Sequence, residues 1–246
     1  MKLPIRIDGI EDVELREMSG ADIAEVKKLA DNGDIYTSFL AFAVGCTKSL
    51  GDIEDKAQIR EMYRKATFDT VYAVAVFGMA LTRGVFKIEG QYKCKCGAIV
   101  DHTGEFADSL PTYECRDPED VSVGCNVEIL DKRNGDKIFS AKTLTLRLPT
   151  VGDLINSYRK FPDDESEMQF ETYKKCIQTV DGKPFSDKDK MAYGDLIFKK
   201  MAFSELSAVS RALSKSFGKT ECVCMKCKRR WSADLDLARF FDFEAD

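Results

Sequence analysis

The sequence has very little of what most catalytic sites are built from. It contains a single histidine, His102, and no glycine-rich loop of the kind that cradles phosphate groups. His102 stands in the polar segment Asp101–Gly104, which we interpret as a turn, and a lone histidine there is more typical of a solvated surface than of a general base. These absences argue against an enzyme and against a small-molecule substrate.

Long apolar runs are also missing. The longest, residues 71–81, is about half of the roughly 20 residues that a membrane-spanning helix needs. The first residues lack the apolar core of a secretory signal, so we expect a cytoplasmic protein with no membrane partner. With only 6 prolines, no low-complexity tract and 44% hydrophobic residues, the 246-residue chain is expected to be folded and globular.

The charge balance argues against a dedicated nucleic-acid-binding protein. The formal net charge is −5 and the isoelectric point is near 5.2, whereas such proteins normally present a large basic face. Lysine and arginine are scattered along the chain, except in the run Lys226–Arg230. We therefore expect that the partners of this protein are other proteins.

The nine cysteines are the most informative feature of the sequence. In a chain without an export signal, reduced thiols with a metal site among them explain the cysteines better than disulfides do. Two pairs have the short spacing of metal-binding turns, one as C-x-C and one as C-x-x-C. Four thiolates on tight turns suit a structural Zn²⁺. The predicted ligands are Cys94, Cys96, Cys224 and Cys227.

Three alternatives to this ligand set stay open on the sequence alone. Cys222 could replace a member of the second pair, or Cys115 and Cys125 could complete a local site with the first pair. The thiols could also form a redox pair, although no thioredoxin-like strand, turn and helix surrounds the C-x-x-C. Cys46 and Cys176 lie on stretches with helical periodicity, and we interpret them as small core residues.

Hydrophobic periodicity predicts a mixture of helices and short strands. Alternating apolar residues in 3–17 predict a hairpin, and Asn134–Gly135 between two apolar runs predicts a two-residue hairpin turn. The rest of 98–135 indicates loops and short strands. Helices are expected near residues 19–32, 34–50, 55–65, 67–84, 150–161, 165–180, 187–201 and 204–217.

The second half of the sequence repeats the order of the first at an offset of about 131 residues. Leu15–Asp22 and Leu146–Asp153 share a Leu-Arg pair, a hydroxyl residue and an acid three positions after it, which is the pattern of a capped helix start. We predict an α+β fold of two related, mostly helical halves, residues 1–135 and 136–246, packed as one compact unit. Strands around the cysteine turns would form a zinc-ribbon-like module between them.

Together these pieces resemble the baseplate hub and hub-assembly proteins of contractile-tailed, T-even-type bacteriophages. The resemblance rests on Leu15–Asp22, Cys94–Gly97, Cys224–Cys227 and the ending Leu235–Phe241, and it covers nearly the whole chain. It implies a chaperone-like, non-enzymatic protein that binds baseplate hub or tail proteins during virion assembly in the host cytoplasm and could stay in the virion baseplate. The sequence departs from the family in one place, where C-x-C stands instead of C-x-x-C.

A second class of function is also compatible with the sequence. A zinc-ribbon nucleic-acid-binding or transcription-associated protein would explain the basic run beside Trp231, because basic residues next to an aromatic ring suit stacked bases. The acidic balance of the chain argues against this alternative. The aromatic ending, residues 231–243, either completes the core of this protein or provides a docking surface for a partner.

Overall fold

The computed structural model describes residues 2–3, 10, 12–31, 35–84, 87–105, 120–131, 133–213 and 219–234. Within these residues the chain is α+β, with eight helices and four small antiparallel sheets. The helices are α1 (Gly20–Asp31), α2 (Ile35–Cys46), α3 (Lys56–Lys65), α4 (Phe68–Arg83), α5 (Val151–Lys160), α6 (Glu165–Cys176), α7 (Asp187–Lys200) and α8 (Phe203–Leu213). The strands are β1 (Lys2–Leu3), β2 (Val13–Leu15), β3 (Thr47–Leu50), β4 (Lys87–Lys93), β5 (Ile99–Glu105), β6 (Val121–Leu130), β7 (Lys137–Leu146), β8 (Ile177–Val180), β9 (Lys183–Pro184), β10 (Lys219–Val223) and β11 (Arg230–Asp234).

The first unit is a helical core beside a three-stranded sheet in the order β1-β2-β3. Helix α2 packs against α1, α3 and α4, and it is buried along most of its length because nearly all of its residues are apolar or small. Helix α4 ends at Gly84, whose φ of 65° is the left-handed conformation that commonly closes a helix and that glycine adopts without strain. The β1–β2 pairing agrees with the predicted hairpin, whose turn lies outside the described residues.

The second unit packs α7 and α8 against a four-stranded sheet in the order β6-β7-β8-β9. Strand β6 alternates buried and exposed side chains, and its buried residues belong to the same core as those of α6 to α8. The predicted division at residue 135 falls in the loop between β6 and β7. Strand β6 therefore packs with the second unit, although it precedes that division in the sequence.

The same contacts surround the start of α1 in the first unit and the start of α5 in the second. An arginine binds a carboxylate at 2.8 and 2.6 Å, respectively. In both units a hydroxyl residue at the helix start donates to that carboxylate from its backbone N–H and its hydroxyl, and the hydroxyl accepts from the backbone N–H of the same aspartate. The arginine backbone N–H donates to a cysteine carbonyl, at 2.8 Å to Cys46 and 2.9 Å to Cys176. The residues are Arg16, Ser19 and Asp22, and then Arg147, Thr150 and Asp153.

The strand before each of these helix starts also pairs with the strand after the next helix in the same register. Val13 stands opposite Leu50 in the β2–β3 pair, and Leu144 stands opposite Val180 in the β7–β8 pair. The register shifts at the same place in both pairs, one residue further along β2 and β7. These positions are 130 or 131 residues apart in the sequence, like the contacts at the helix starts.

Two predicted helices end earlier than the sequence indicated, and both errors have one cause. The helices expected over 34–50 and 165–180 stop at Cys46 and Cys176, and the next four residues form β3 and β8. Thr47–Leu50 pairs with β2 and Ile177–Val180 pairs with β7, and three of the four residues in the second run are β-branched. The apolar pattern continues through the change of structure, so periodicity alone did not reveal it.

The region expected to hold loops and short strands contains two long strands, β5 and β6. His102 lies in β5, opposite Gly90, and not in a turn as predicted. Asn134–Gly135 lies in the connection between β6 and β7, residues 131–136, which the Asp131 N–H closes by donating to the Asp136 carbonyl at 2.7 Å, so the expected two-residue turn was also wrong. Ladder hydrogen bonds between long strands outweigh the polar composition that suggested loops.

Helix α5 joins the two units. Val151 and Ile155 are 0% and 2% exposed and belong to the core of the first unit. The Val151 N–H donates to the Ala66 carbonyl at 3.0 Å, and the Phe68 N–H donates to the Pro149 carbonyl at 3.3 Å. The two units therefore share apolar packing and backbone hydrogen bonds. No helix in the described ranges is long and apolar enough to cross a membrane.

Replacing Asp22 with Ala is expected to lower the free energy of unfolding by about 3 kcal/mol at neutral pH. The Asp22 carboxylate is 9% exposed and accepts from Arg16 and Lys56, each at 2.8 Å, so its loss leaves Arg16 without its partner. Urea unfolding measures the effect, with the exposed Glu17→Ala as control. A loss no larger than that of the control would contradict this role.

The same carboxylate predicts a pH dependence. Burial alone would raise the pKa of Asp22, but hydrogen bonds from Lys56, Ser19 and Arg16 outweigh it and hold the pKa far below its ordinary value. The stabilisation is therefore present above the unfolded-state pKa of about 4 and is lost as the pH falls below it. The difference in the free energy of unfolding between wild type and Asp22→Ala should therefore become smaller below that pH.

Candidate metal centre

Two short hairpins carry the four predicted ligands in their turns. Strands β4 and β5 form the first hairpin, and β10 and β11 form the second. The hairpins come from different halves of the sequence, but they meet because β5 contacts β10. Each turn thereby places its cysteines beside those of the other.

The two turns are closed by similar backbone hydrogen bonds. The Cys94 N–H donates to the Ala98 carbonyl and the Cys224 N–H donates to the Arg229 carbonyl, at 2.8 and 2.9 Å. The residue after the second cysteine has a positive φ in both turns, 84° at Gly97 and 60° at Lys228. Glycine adopts this conformation freely, which explains the Gly in the tighter C-x-C turn.

The four sulfur atoms form one compact cluster. Cys94 Sγ lies 3.6 Å from Cys227 Sγ, and Cys96 Sγ lies 3.7 Å from Cys224 Sγ. All four lie within 4.8 Å of one another. A tetrahedral Zn²⁺ with bonds of about 2.3 Å requires sulfur atoms about 3.8 Å apart. The cluster therefore has the dimensions of a site that could hold one metal ion.

The protein environment lowers the pKa of one thiol in the cluster and raises the pKa of another. The backbone N–H of Cys227, pointing at the Cys224 sulfur, lowers the pKa of Cys224 to about 6. The backbone N–H of Arg229 acts in the same direction on Cys227, but the neighbouring thiol groups, Cys94 first, raise the pKa of Cys227 to about 11. Clustered thiolates repel one another, and a bound cation would remove that repulsion.

The remaining described cysteines lie outside this cluster. Cys125 is buried in the second core, and Cys222 is a buried residue of β10 opposite Trp231. Cys46 and Cys176 are completely buried, and burial raises the pKa of each to about 12, as expected for inert core thiols. Cys115, the other alternative ligand, lies outside the described residues.

Comparison with known proteins found no match to this chain among family models, curated proteins or solved structures. The geometry of the cysteine cluster is therefore the observation from which function must be inferred. Within the part of the chain that the structure describes, the ligand atoms of these four cysteines lie close enough together to hold a metal ion, and no other group of cysteine, histidine or acidic side chains there does so.

Sequence reasoning identified the four cysteines but missed the character of the surface around them. Met225 and Ile99, beside the cysteines, are 74% and 66% exposed. The sequence gives no signal for this exposure, because apolar residues next to cysteines can equally well be buried. The basic residues of the same turns were visible in the sequence.

Proposed function

We propose that the four cysteines hold one structural Zn²⁺ that joins two related halves of a non-enzymatic assembly protein. The convergence of four sulfur atoms, from turns about 130 residues apart, to within 4.8 Å supports this proposal. Four thiolates in tetrahedral positions suit Zn²⁺ or iron, and Zn²⁺ is the usual ion of closed structural sites. The ligands are Cys94, Cys96, Cys224 and Cys227.

The donor set favours a structural role over a catalytic one. Catalytic zinc sites keep one position open for water or substrate, whereas four protein ligands fill a tetrahedral site. The chemistry that the ion would supply is charge compensation for the thiolates and a cross-link between β4–β5 and β10–β11. Binding energy at such a site contributes to folding, because the ligand geometry does not exist in the unfolded chain.

The two halves are, in this proposal, copies of one unit. The matched helix starts, the matched register of β2–β3 and β7–β8, and the matched cysteine turns support this interpretation. Each copy contributes one hairpin with two cysteines, so the metal site forms where the copies meet, in the manner of a zinc ribbon. The C-x-C turn is a version of the C-x-x-C turn with one residue less.

The cellular role that fits best is assembly of a contractile phage tail. The order of motifs resembles the baseplate hub and hub-assembly proteins, and the metal-linked fold is compatible with a factor that acts by binding. The proposed partners are baseplate hub or tail proteins, which the protein would meet in the host cytoplasm.

Native mass spectrometry with elemental analysis, on protein purified under reducing conditions, tests the metal site. Wild type is expected to carry one zinc per chain, and Cys96→Ser with Cys224→Ser is expected to carry none. Cys222→Ala is the matched control and should keep the zinc, because Cys222 lies outside the cluster. Absence of metal from reduced wild type, or zinc retained by the double variant, would overturn the proposal.

The assembly role is tested with the same variants in infected cells. Phage that lacks the gene should produce heads but few complete tails, and wild-type protein or Cys222→Ala should restore them. The double variant should restore far fewer. Normal tail yield in the absence of the protein would contradict the assembly role without affecting the zinc measurement.

A further inference from the structure

The two cysteine turns form a strongly basic surface. We call residues 93–99 and 223–230 the knuckle tip. It contains six basic residues and no acidic residue, and every one of the six is exposed. They are Lys93, Lys95, Lys226, Lys228, Arg229 and Arg230.

This positive charge is larger than the charge required to balance a four-thiolate zinc site. Zn²⁺ with four thiolates carries a formal charge of −2, so two of the basic side chains would balance it. Because the whole chain has a net charge of −5 and the knuckle tip holds six basic residues, the rest of the chain has a formal net charge of −11. The molecule therefore has a small positive surface, the knuckle tip, on an otherwise acidic chain.

The knuckle tip also exposes apolar side chains. Met225, Ile99 and Val223 are 74%, 66% and 39% exposed. Ile99 begins β5 and Val223 ends β10, and these two strands are in contact. Apolar side chains within a charged surface are typical of protein interaction sites. Met225 has a flexible, unbranched side chain that can adapt to a partner.

We propose that the knuckle tip binds an acidic segment of a partner protein in which an aliphatic or aromatic side chain lies among carboxylates. The lysine and arginine side chains would attract the carboxylates, and Met225, Ile99 and Val223 would contact the apolar side chain. This inference rests on the proposed function, because the metal site holds the two turns together.

The charge distribution favours a protein segment over a nucleic acid. A nucleic acid is a long polyanion that extends beyond the knuckle tip, and the rest of the chain, with its net charge of −11, repels it. The aromatic residues that flank the knuckle tip, Tyr92 and Trp231, are both partly buried, whereas binding of single strands commonly relies on stacking against exposed aromatic rings. A short acidic segment contacts only the knuckle tip.

Fluorescence anisotropy with zinc-loaded, full-length protein tests the proposal. The probe is a short labelled peptide of alternating glutamate and leucine, compared with an all-glutamate peptide and an oligothymidylate of equal length. Lys226→Glu, Arg229→Glu and Arg230→Glu together reverse the charge of the knuckle tip. The matched control reverses three exposed basic residues elsewhere, Arg133→Glu, Lys183→Glu and Lys188→Glu.

Wild type and the control should bind the glutamate–leucine peptide, and the knuckle-tip variant should bind it about tenfold more weakly. Met225→Ser should weaken binding of this peptide but not of the all-glutamate peptide. Equal binding by both charge variants, or tighter binding of the oligothymidylate than of the peptide, would overturn the proposal.

Zinc content and thermal unfolding are measured on every variant. A knuckle-tip variant that loses peptide binding but retains its zinc would show that the knuckle tip itself, and not the metal site, is needed for binding. Zinc absent from wild type would instead refute the proposed metal site.

Discussion

Removal of the proposed Zn²⁺ is expected to unfold the two cysteine hairpins while the helical cores stay folded. Each hairpin has only two strands in the described residues, and an isolated two-stranded hairpin is marginally stable in water at best. The cores of the two units contain residues of all eight described helices and of the three- and four-stranded sheets, without the four clustered cysteines. The metal should therefore stabilise one part of the molecule and not the whole.

Hydrogen exchange measured by mass spectrometry, with and without a zinc chelator, can resolve this difference. Amide protection in 87–105 and 219–234 should fall by about a thousandfold or more, since structural zinc binding is worth well over the corresponding free energy. Protection in α2 and α4 should change little. The Cys96→Ser and Cys224→Ser double variant should match the chelated wild type before any chelator is added.

Uniform loss of protection in cores and hairpins would contradict this prediction. It would mean that the metal supports the whole fold. Unchanged protection in the hairpins would show that the metal contributes nothing to them.

Gly78→Ala is expected to destabilise the protein by about 3 kcal/mol or more, although alanine normally favours a helix over glycine. Gly78 lies in the middle of α4, where that helix packs on α2. A Cβ atom at this position would lie 2.2 Å from Cys46 Sγ and 2.5 Å from Cys46 Cβ. Cys46 is fully buried, so it has little room to move.

A second substitution separates this steric clash from other effects. Cys46→Gly removes both atoms that the new methyl group would meet, so Gly78→Ala with Cys46→Gly should be more stable than Gly78→Ala alone. Gly20→Ala is the matched control, because a Cβ at Gly20 has no neighbour within 4 Å. Urea unfolding curves give all the values. Wild-type stability in Gly78→Ala would show that the helices can separate at no cost.

The sequence predicts features that depend on local chemistry. The α+β class was confirmed, and so was the helix end at Gly84. The capping box at Thr150 and Asp153 is present, because a hydroxyl residue and an acid at this spacing satisfy each other's backbone groups. The four cysteines of the cluster were found for a similar reason, since their spacing within each turn is a local property.

Features set by distant partners were harder to predict. Thr47–Leu50 becomes a strand because β2 lies beside it, and nothing within α2 marks the change at Cys46. Strand β6 is different, because its alternation of Val123, Cys125, Val127 and Ile129 is a period-two signal in the sequence. Only its last part, the apolar run before Asn134–Gly135, contributed to the predicted hairpin, and the earlier residues were interpreted as loop and short strands.

Helix α5 also bears on whether further molecules of this protein can add to one another. Its apolar face lies on the first unit, with Val151 and Ile155 in the core and the Tyr158 ring 5.8 Å from that of Tyr36. A contact of this kind joins two different surfaces, so copies could in principle add without end and form a fibre.

The positions 131 residues earlier, on α1, are exposed and are small or charged. They cannot offer a neighbouring molecule the anchors that α5 offers the first unit. The exposed side of α1 therefore disfavours the addition of a further molecule through an α5-like contact, much as the polar outer face of a terminal repeat keeps a solenoid from extending. These positions are Gly20, Ala24 and Lys27.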